Sequence, residues 1–154
     1  MEWIVSLYGK VVGLDTSPFI YYIERNPLYV DMLRTFFQAV NRGECTVVTS
    51  IVSLLEVLVI PIRHGNTNLA QQYRDILLDT NGLTTVLFDQ SIAEEAARLR
   101  AFHNIRTPDS IQMATAMKTQ ASFFLTNDIR LPSLPNLKIL MLDDLLKEGQ
   151  EKES

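Results

Sequence analysis

Four acidic residues have the best claim to chemistry in this chain: Asp15, Glu56, Asp109 and Asp128. Asp15 ends the short apolar run Val11-Val12-Gly13-Leu14. Glu56 is the only charge in residues 51–62. A carboxylate in such a run costs on the order of several kcal/mol to bury unless water, a partner or a cation meets it. Ser50, Ser53 and Glu56 recur at every third position and so share one helix face, with Ile60 on the same side. Asp109 falls in the first turn of a helix opened by Thr107-Pro108, where the helix dipole alone would welcome an acid. Asp128 closes Thr126-Asn127-Asp128, ordinary turn chemistry after a strand. Singly, each acid has a structural explanation. Together they imply more. If the first and fourth strands are neighbours, all four carboxylates reach one pocket, where each raises the cost of ionising the next. A divalent cation removes that conflict, and an all-oxygen donor set suits Mg²⁺ or Mn²⁺ rather than zinc.

The elements that must position these acids are legible from apolar runs and their stop signals. Residues 11–15 read as a buried strand, followed by a helix with Ser17 as N-cap and Pro18 at its first position. Asn26-Pro27 opens a second helix that carries apolar residues to Val40 and stops at Gly43. Residues 45–49 read as a strand. A helix capped by Thr49 or Ser50 then runs to about Ile60, where Pro61 and His64-Gly65-Asn66 end it. Residues 67–79 form another helix and 84–88 another strand. Ser91 and Glu94 suggest a capping box, and Glu94 with Arg98 an i,i+4 pair. Residues 107–119 make the next helix, and 122–126 and 138–141 the last strands. Short buried strands alternating with helices argue an α/β domain with a mainly parallel sheet covered on both faces. Ligands bind such sheets outside the carboxyl ends of the strands. No linker interrupts the chain, so one domain is expected over residues 1–146, followed by a frayed tail at 147–154 (KEGQEKES).

Composition narrows the classes. The chain has 154 residues, 47% hydrophobic and 21% charged, an ordinary globular balance. Its 14 Lys plus Arg against 18 Asp plus Glu give a formal charge of −4. That excludes a polybasic nucleic-acid binder but not a metal-dependent nuclease, because bound cations bring their own charge. One cysteine, Cys45, and two histidines, His64 and His103, leave no basis for a disulfide framework or a cysteine- or histidine-rich zinc site. No stretch approaches the ~20 apolar residues needed to cross a bilayer, and the N-terminus makes a poor signal peptide. A soluble protein of the cytoplasm, with no membrane partner, is expected.

Four pieces in order resemble the PIN-domain ribonucleases: Leu14-Asp15-Thr16-Ser17; Glu56 within SIVSLLEVL; Thr107-Pro108-Asp109-Ser110 with the helix that follows; and Leu125-Thr126-Asn127-Asp128. The resemblance spans about residues 11–142. The size and the Thr-Asn-Asp ending look most like a VapC-type toxin of a toxin–antitoxin pair. Two departures stand out: Ser110 where alanine is common, and Ile129-Arg130-Leu131 where an aromatic often follows the last acid. The resemblance implies a three-layer α/β/α fold with a five-stranded parallel sheet of order 3-2-1-4-5. It also implies an Mg²⁺- or Mn²⁺-dependent endoribonuclease whose ion is held by Asp15, Glu56, Asp109 and Asp128. Thr126 could orient a metal-bound water, and Arg106 and Arg130 could hold phosphates by charge-assisted bonds. Expected partners are RNA, a small antitoxin protein and a second copy of the chain. The helices at 26–40 and from Ser50 are apolar enough to need an interface.

Rival readings fare worse. A phosphoacceptor receiver needs an acid pair near the first strand and a lysine after the last, and neither is present. A haloacid-dehalogenase-type phosphohydrolase needs Asp-x-Asp where this chain has Asp15-Thr16-Ser17. A PIN nuclease of RNA processing, or a PIN scaffold that binds without cutting, would keep the same fold.

Overall fold

Short apolar runs rich in β-branched and aromatic residues become the strands β1 (Val11–Leu14), β2 (Thr46–Ser50), β3 (Leu83–Val86), β4 (Phe123–Thr126) and β5 (Lys138–Met141) in a computed structural model that describes residues 2–153. They pair in parallel, in the order β3-β2-β1-β4-β5, as expected. The helices are α1 (Glu2–Val5), α2 (Thr16–Ile23), α3 (Val30–Asn41), α4 (Ile51–Arg63), α5 (Thr67–Asp79), α6 (Gln90–Phe102), α7 (Thr107–Lys118) and α8 (Leu142–Glu153).

Strand periodicity divides the core in two. Val12, Leu14 and Leu125 face one apolar cluster, built with residues of α1, α2, α3, α5 and α8. Phe124 points the other way, into a cluster with Ile92, Ala96 and Leu99 of α6 and Met113, Ala114 and Ala116 of α7. Gly13 lets α7 lie against β1, since a Cβ there would stand 2.7 Å from the Ala116 Cβ. That close packing sets Asp109, about two turns before Ala116, toward the carboxyl end of the sheet. β1 sits between β2 and β4, and the chain's crossover from β3 to β4 passes to its far side. The switch point where α/β sheets bind ligands is therefore between β1 and β4.

Several local expectations are corrected. Asp15, not Ser17, caps α2 and accepts the Thr16 N–H at 2.8 Å. Asn26 caps only a turn, accepting from the Leu28 N–H, and α3 begins at Val30. Ser50 caps α4 as expected, but the helix runs through Pro61 to Arg63. Pro61 has no backbone N–H to donate to the helix, and its ring is buried. Asp89, not Ser91, caps α6, and Arg98 pairs with Glu95 rather than Glu94. α1 and α8 carry too short an apolar signature to be read from sequence. The stretch from residue 147, expected to fray, continues α8 to Glu153, because Leu142 and Leu145 anchor its first turn in the core. Ser154 lies outside the described residues.

Candidate active site

The register that pairs Leu14 with Leu125 carries the next residues, Asp15 and Thr126, to the sheet's carboxyl edge side by side. The Asp15 N–H donates to the Leu125 carbonyl at 3.0 Å. Its carboxylate is then held twice: Oδ1 by the Thr16 N–H, Oδ2 by the Thr126 hydroxyl at 2.7 Å. Thr126 is fully buried, and its oxygen accepts the Asp128 N–H at 3.0 Å. One side chain thus orients two of the four acids. The single hydroxyl proton of Thr126 is donated to Asp15.

Glu56 lies in the second turn of α4 on an exposed face, with Oε1 accepting from the Thr16 hydroxyl at 2.7 Å. Exposure on this face and the Thr16 donor remove the apparent cost of a charge in an apolar helix. Asp109, in the first turn of α7, takes the Arg106 Nε at 3.0 Å. Asp128 is gripped by Arg130 through Nε at 2.9 Å, Nη2 at 2.7 Å and the backbone N–H at 3.0 Å. All four acids line one cleft of about 560 Å³, with Arg106 and Arg130 beside them. Among the described residues no three acidic, histidine or cysteine side chains already stand as a coordination shell. Two of the acids are turned to arginines. A larger groove, about 1030 Å³ between α2, α3 and α5, contains none of the four.

The electrostatics of the cleft are uneven. Burial pushes the Asp15 carboxyl up to about 6, and the charges of Asp109 and Glu56 add to the rise against the hydrogen bonds from Thr126 and Thr16. The Arg130 guanidinium holds the Asp128 carboxyl below the usual carboxylate range. Four carboxylates and two guanidiniums leave the lining a formal 4 − 2, or two, negative charges in excess. This excess and the all-oxygen donor set fit a hard divalent cation.

Residues 12–137 match the family model of the PIN domain. The chain belongs to the PIN domain family. Members of that family are nucleases. Among curated protein sequences, none matches this PIN domain. Its fold is similar to VapBC2 from Rickettsia felis, a structure bound to a DNA fragment from the promoter, with TM-score 0.69, 20% identity, and 85% of this chain and 98% of that one covered. It is also similar to a toxin–antitoxin complex from Klebsiella pneumoniae (TM-score 0.59, 18% identity, 82% and 94% covered). DNA-bound VapBC from Salmonella typhimurium gives TM-score 0.60 and 18% identity, with 86% and 98% covered. At these identities the likeness is one of fold.

Beneath the acids, this PIN domain carries a buried polar network that sequence reasoning missed. The Gln112 amide donates to Ser53 Oγ at 2.6 Å and Thr16 Oγ at 3.3 Å, and its carbonyl accepts the Ser50 N–H at 3.3 Å. Thr16 gives its proton to Glu56 and Thr49 gives its proton to the Leu14 carbonyl. Ser53, in contact with both hydroxyls, must therefore donate to one of them. Among the described residues no buried side-chain polar atom lacks a partner. The network ties α2, α4 and α7 together and fixes Glu56 as a hydrogen-bond acceptor. A trace of it is visible in sequence, because Gln112 is three residues after Asp109 and Ser53 three before Glu56, each pair on one helix face.

The PIN domain's Thr-Asn-Asp segment divides its work. Asn127 donates to the Tyr29 hydroxyl at 3.1 Å and accepts the Asp143 N–H at 3.2 Å, docking the loop on α8. Tyr29 closes the ring by donating to Asp143 and stacks on Tyr21 at 4.4 Å.

Proposed function

We propose that this PIN domain is an endoribonuclease dependent on Mg²⁺ or Mn²⁺, and that it is the toxin of a toxin–antitoxin pair acting in the cytoplasm. The observation that carries the nuclease reading is the convergence of Asp15, Glu56, Asp109 and Asp128, from four separate segments, on one cleft at the switch point. These four would hold the ion. When bound, it supplies Lewis acidity toward the phosphodiester and makes a water easier to deprotonate. The chain's own part is preorganisation. Thr126 and the start of α2 hold the Asp15 carboxylate in one orientation, and Thr16 holds Glu56. Among the described residues no helix is long and apolar enough to cross a membrane. The toxin half is supported by solved complexes of the same fold whose own chains are covered to 94–98%.

The test of the enzyme is incubation of purified protein with a panel of structured RNAs, with and without Mn²⁺, beside Asp15→Asn. Cleavage that requires the ion and disappears in the variant is expected. Intact RNA throughout, with Mn²⁺ present, refutes the nuclease. For the toxin, expression of the chain alone should arrest growth, and Asp109→Asn or Glu56→Gln should relieve the arrest. Normal growth on soluble, metal-binding wild-type protein would leave an RNA-processing nuclease.

A homodimer belongs to the same proposal, with its source narrowed. The apolar residues of α3, among them Met32, Leu33, Phe36 and Phe37, are buried within the chain and need no partner. α4 instead exposes Leu55, Val59, Ile60 and Ile62, and Ser50 pairs with Val86, so exposed Leu87 and Phe88 leave the sheet beside it. This surface is the proposed interface. Light scattering should give a dimer mass that Leu55→Glu with Ile62→Glu reduces to a monomer.

A further inference from the structure

Two arginines in the cleft each have a choice of anion. The side chains of Arg106 and Arg130 are 63% and 65% exposed, while the carboxylates they hold, Asp109 and Asp128, are 11% and 19% exposed. Each guanidinium therefore stands at the rim and reaches inward. Asp128 has both oxygens occupied by Arg130. A pair whose guanidinium is open to water and salt holds its carboxylate less tightly than one buried on both sides, and a cation that takes over the carboxylate leaves no buried charge unpaired. A divalent cation seeking those oxygens competes with a guanidinium for them. Each guanidinium displaced stays tethered to the cleft edge, where its planar fork matches the paired oxygens of a phosphodiester.

The charge balance points the same way. A lining with two negative charges in excess repels a polyanion, and a cation bound among the acids cancels that excess. Resting on the nuclease reading, we propose that Arg106 and Arg130 exchange partners. They hold Asp109 and Asp128 until divalent cation takes those carboxylates, and then bind phosphates of the RNA strand. Ion loading and RNA binding are thereby coupled through two side chains of this chain.

The test uses purified full-length protein, the variants Arg106→Gln and Arg130→Gln and their combination. Calorimetry measures Mn²⁺ binding. Equilibrium binding of a short single-stranded RNA with phosphorothioate linkages is followed across a salt series, with Mn²⁺ or with EDTA. Each single variant should bind Mn²⁺ about two- to fivefold more tightly, the factor lost to opening one exposed ion pair. With Mn²⁺, the salt dependence of RNA affinity (log K against log salt) should be shallower in the double variant by about 1.4 than in wild type, the share of two phosphate contacts on a single strand. With EDTA the two proteins should show the same slope. Weaker Mn²⁺ binding by either variant would overturn the exchange, since the arginine would then be supporting the ion's ligands. Equal slopes with Mn²⁺ would overturn it as well, and RNA cleavage by the same wild-type preparation would show that the nuclease reading stands without it. A wild-type protein that binds no RNA with Mn²⁺ removes both.

Discussion

Asp15→Asn should make the protein more stable at neutral pH when divalent ions are chelated, although it removes a carboxylate held by two hydrogen bonds. The Asp15 carboxyl is lifted from its ordinary 3.8 to about 6, chiefly by burial. That lift corresponds to about 3 kcal/mol of preference for the neutral form. The sign follows from proton binding. Between about pH 4 and pH 6 the folded chain holds a proton that the unfolded chain has lost, so stability falls as pH rises through that window. Above about 6 the full penalty applies. Asparagine removes the charge but offers one acceptor instead of two. With Oδ1 on the Thr16 N–H, its amide nitrogen faces the Thr126 hydroxyl, forfeiting about 1–2 kcal/mol. The expected net gain at pH 7 is about 1–2 kcal/mol, or roughly 2–8 °C in melting temperature for a chain of this size. Urea denaturation of both proteins at pH 4, 5, 6 and 7 in EDTA measures it. The advantage of the variant should shrink toward zero or reverse by pH 4. A stability difference that does not change between pH 4 and pH 7 would refute the assignment of a buried, destabilising charge to Asp15.

Millimolar Mn²⁺ should reverse that ordering, adding about 2.7 kcal/mol to wild type at a hundredfold excess over Kd and less to Asp15→Asn; a flat thermal shift in both counts against a shared ion site. Thr126→Val leaves Asp15 Oδ2 and the Asp128 N–H without their partner, so a loss of about 1–3 kcal/mol and a further rise of the Asp15 carboxyl are expected, read by denaturation and carbon-13 titration, with Thr126→Ser close to wild type. Gly13→Ala should cost about 1–3 kcal/mol through its clash with Ala116, and Ala116→Gly in the same chain should restore part of it in chemical denaturation.

Most elements are legible in the sequence, because their signals are local. Apolar runs bounded by Gly, Pro and capping residues place all five strands to within about two residues, and the helix starts at Ile51, Thr67 and Thr107 are similarly legible. The sequence also singled out the four acids, which fall beside strand ends or in the first two turns of helices. The family resemblance added the strand order. Competition between neighbouring candidates was settled only by tertiary structure. Asp15 outcompetes Ser17 as cap because β4 brings Thr126 to fix its carboxylate, and α8 starts at Leu142 because its first turn finds the core. The supporting contacts of the site join residues 40, 59 and 111 positions apart. No local pattern encodes such a bond; it exists because parallel pairing of β1 with β4, and the close seat of α7 on Gly13, place those side chains within reach. The capture of Asp109 and Asp128 by Arg106 and Arg130 is the intermediate case. The residues are neighbours in sequence, but only the fold, by leaving the carboxylates inward and the guanidiniums at the rim, makes those pairs part of the site.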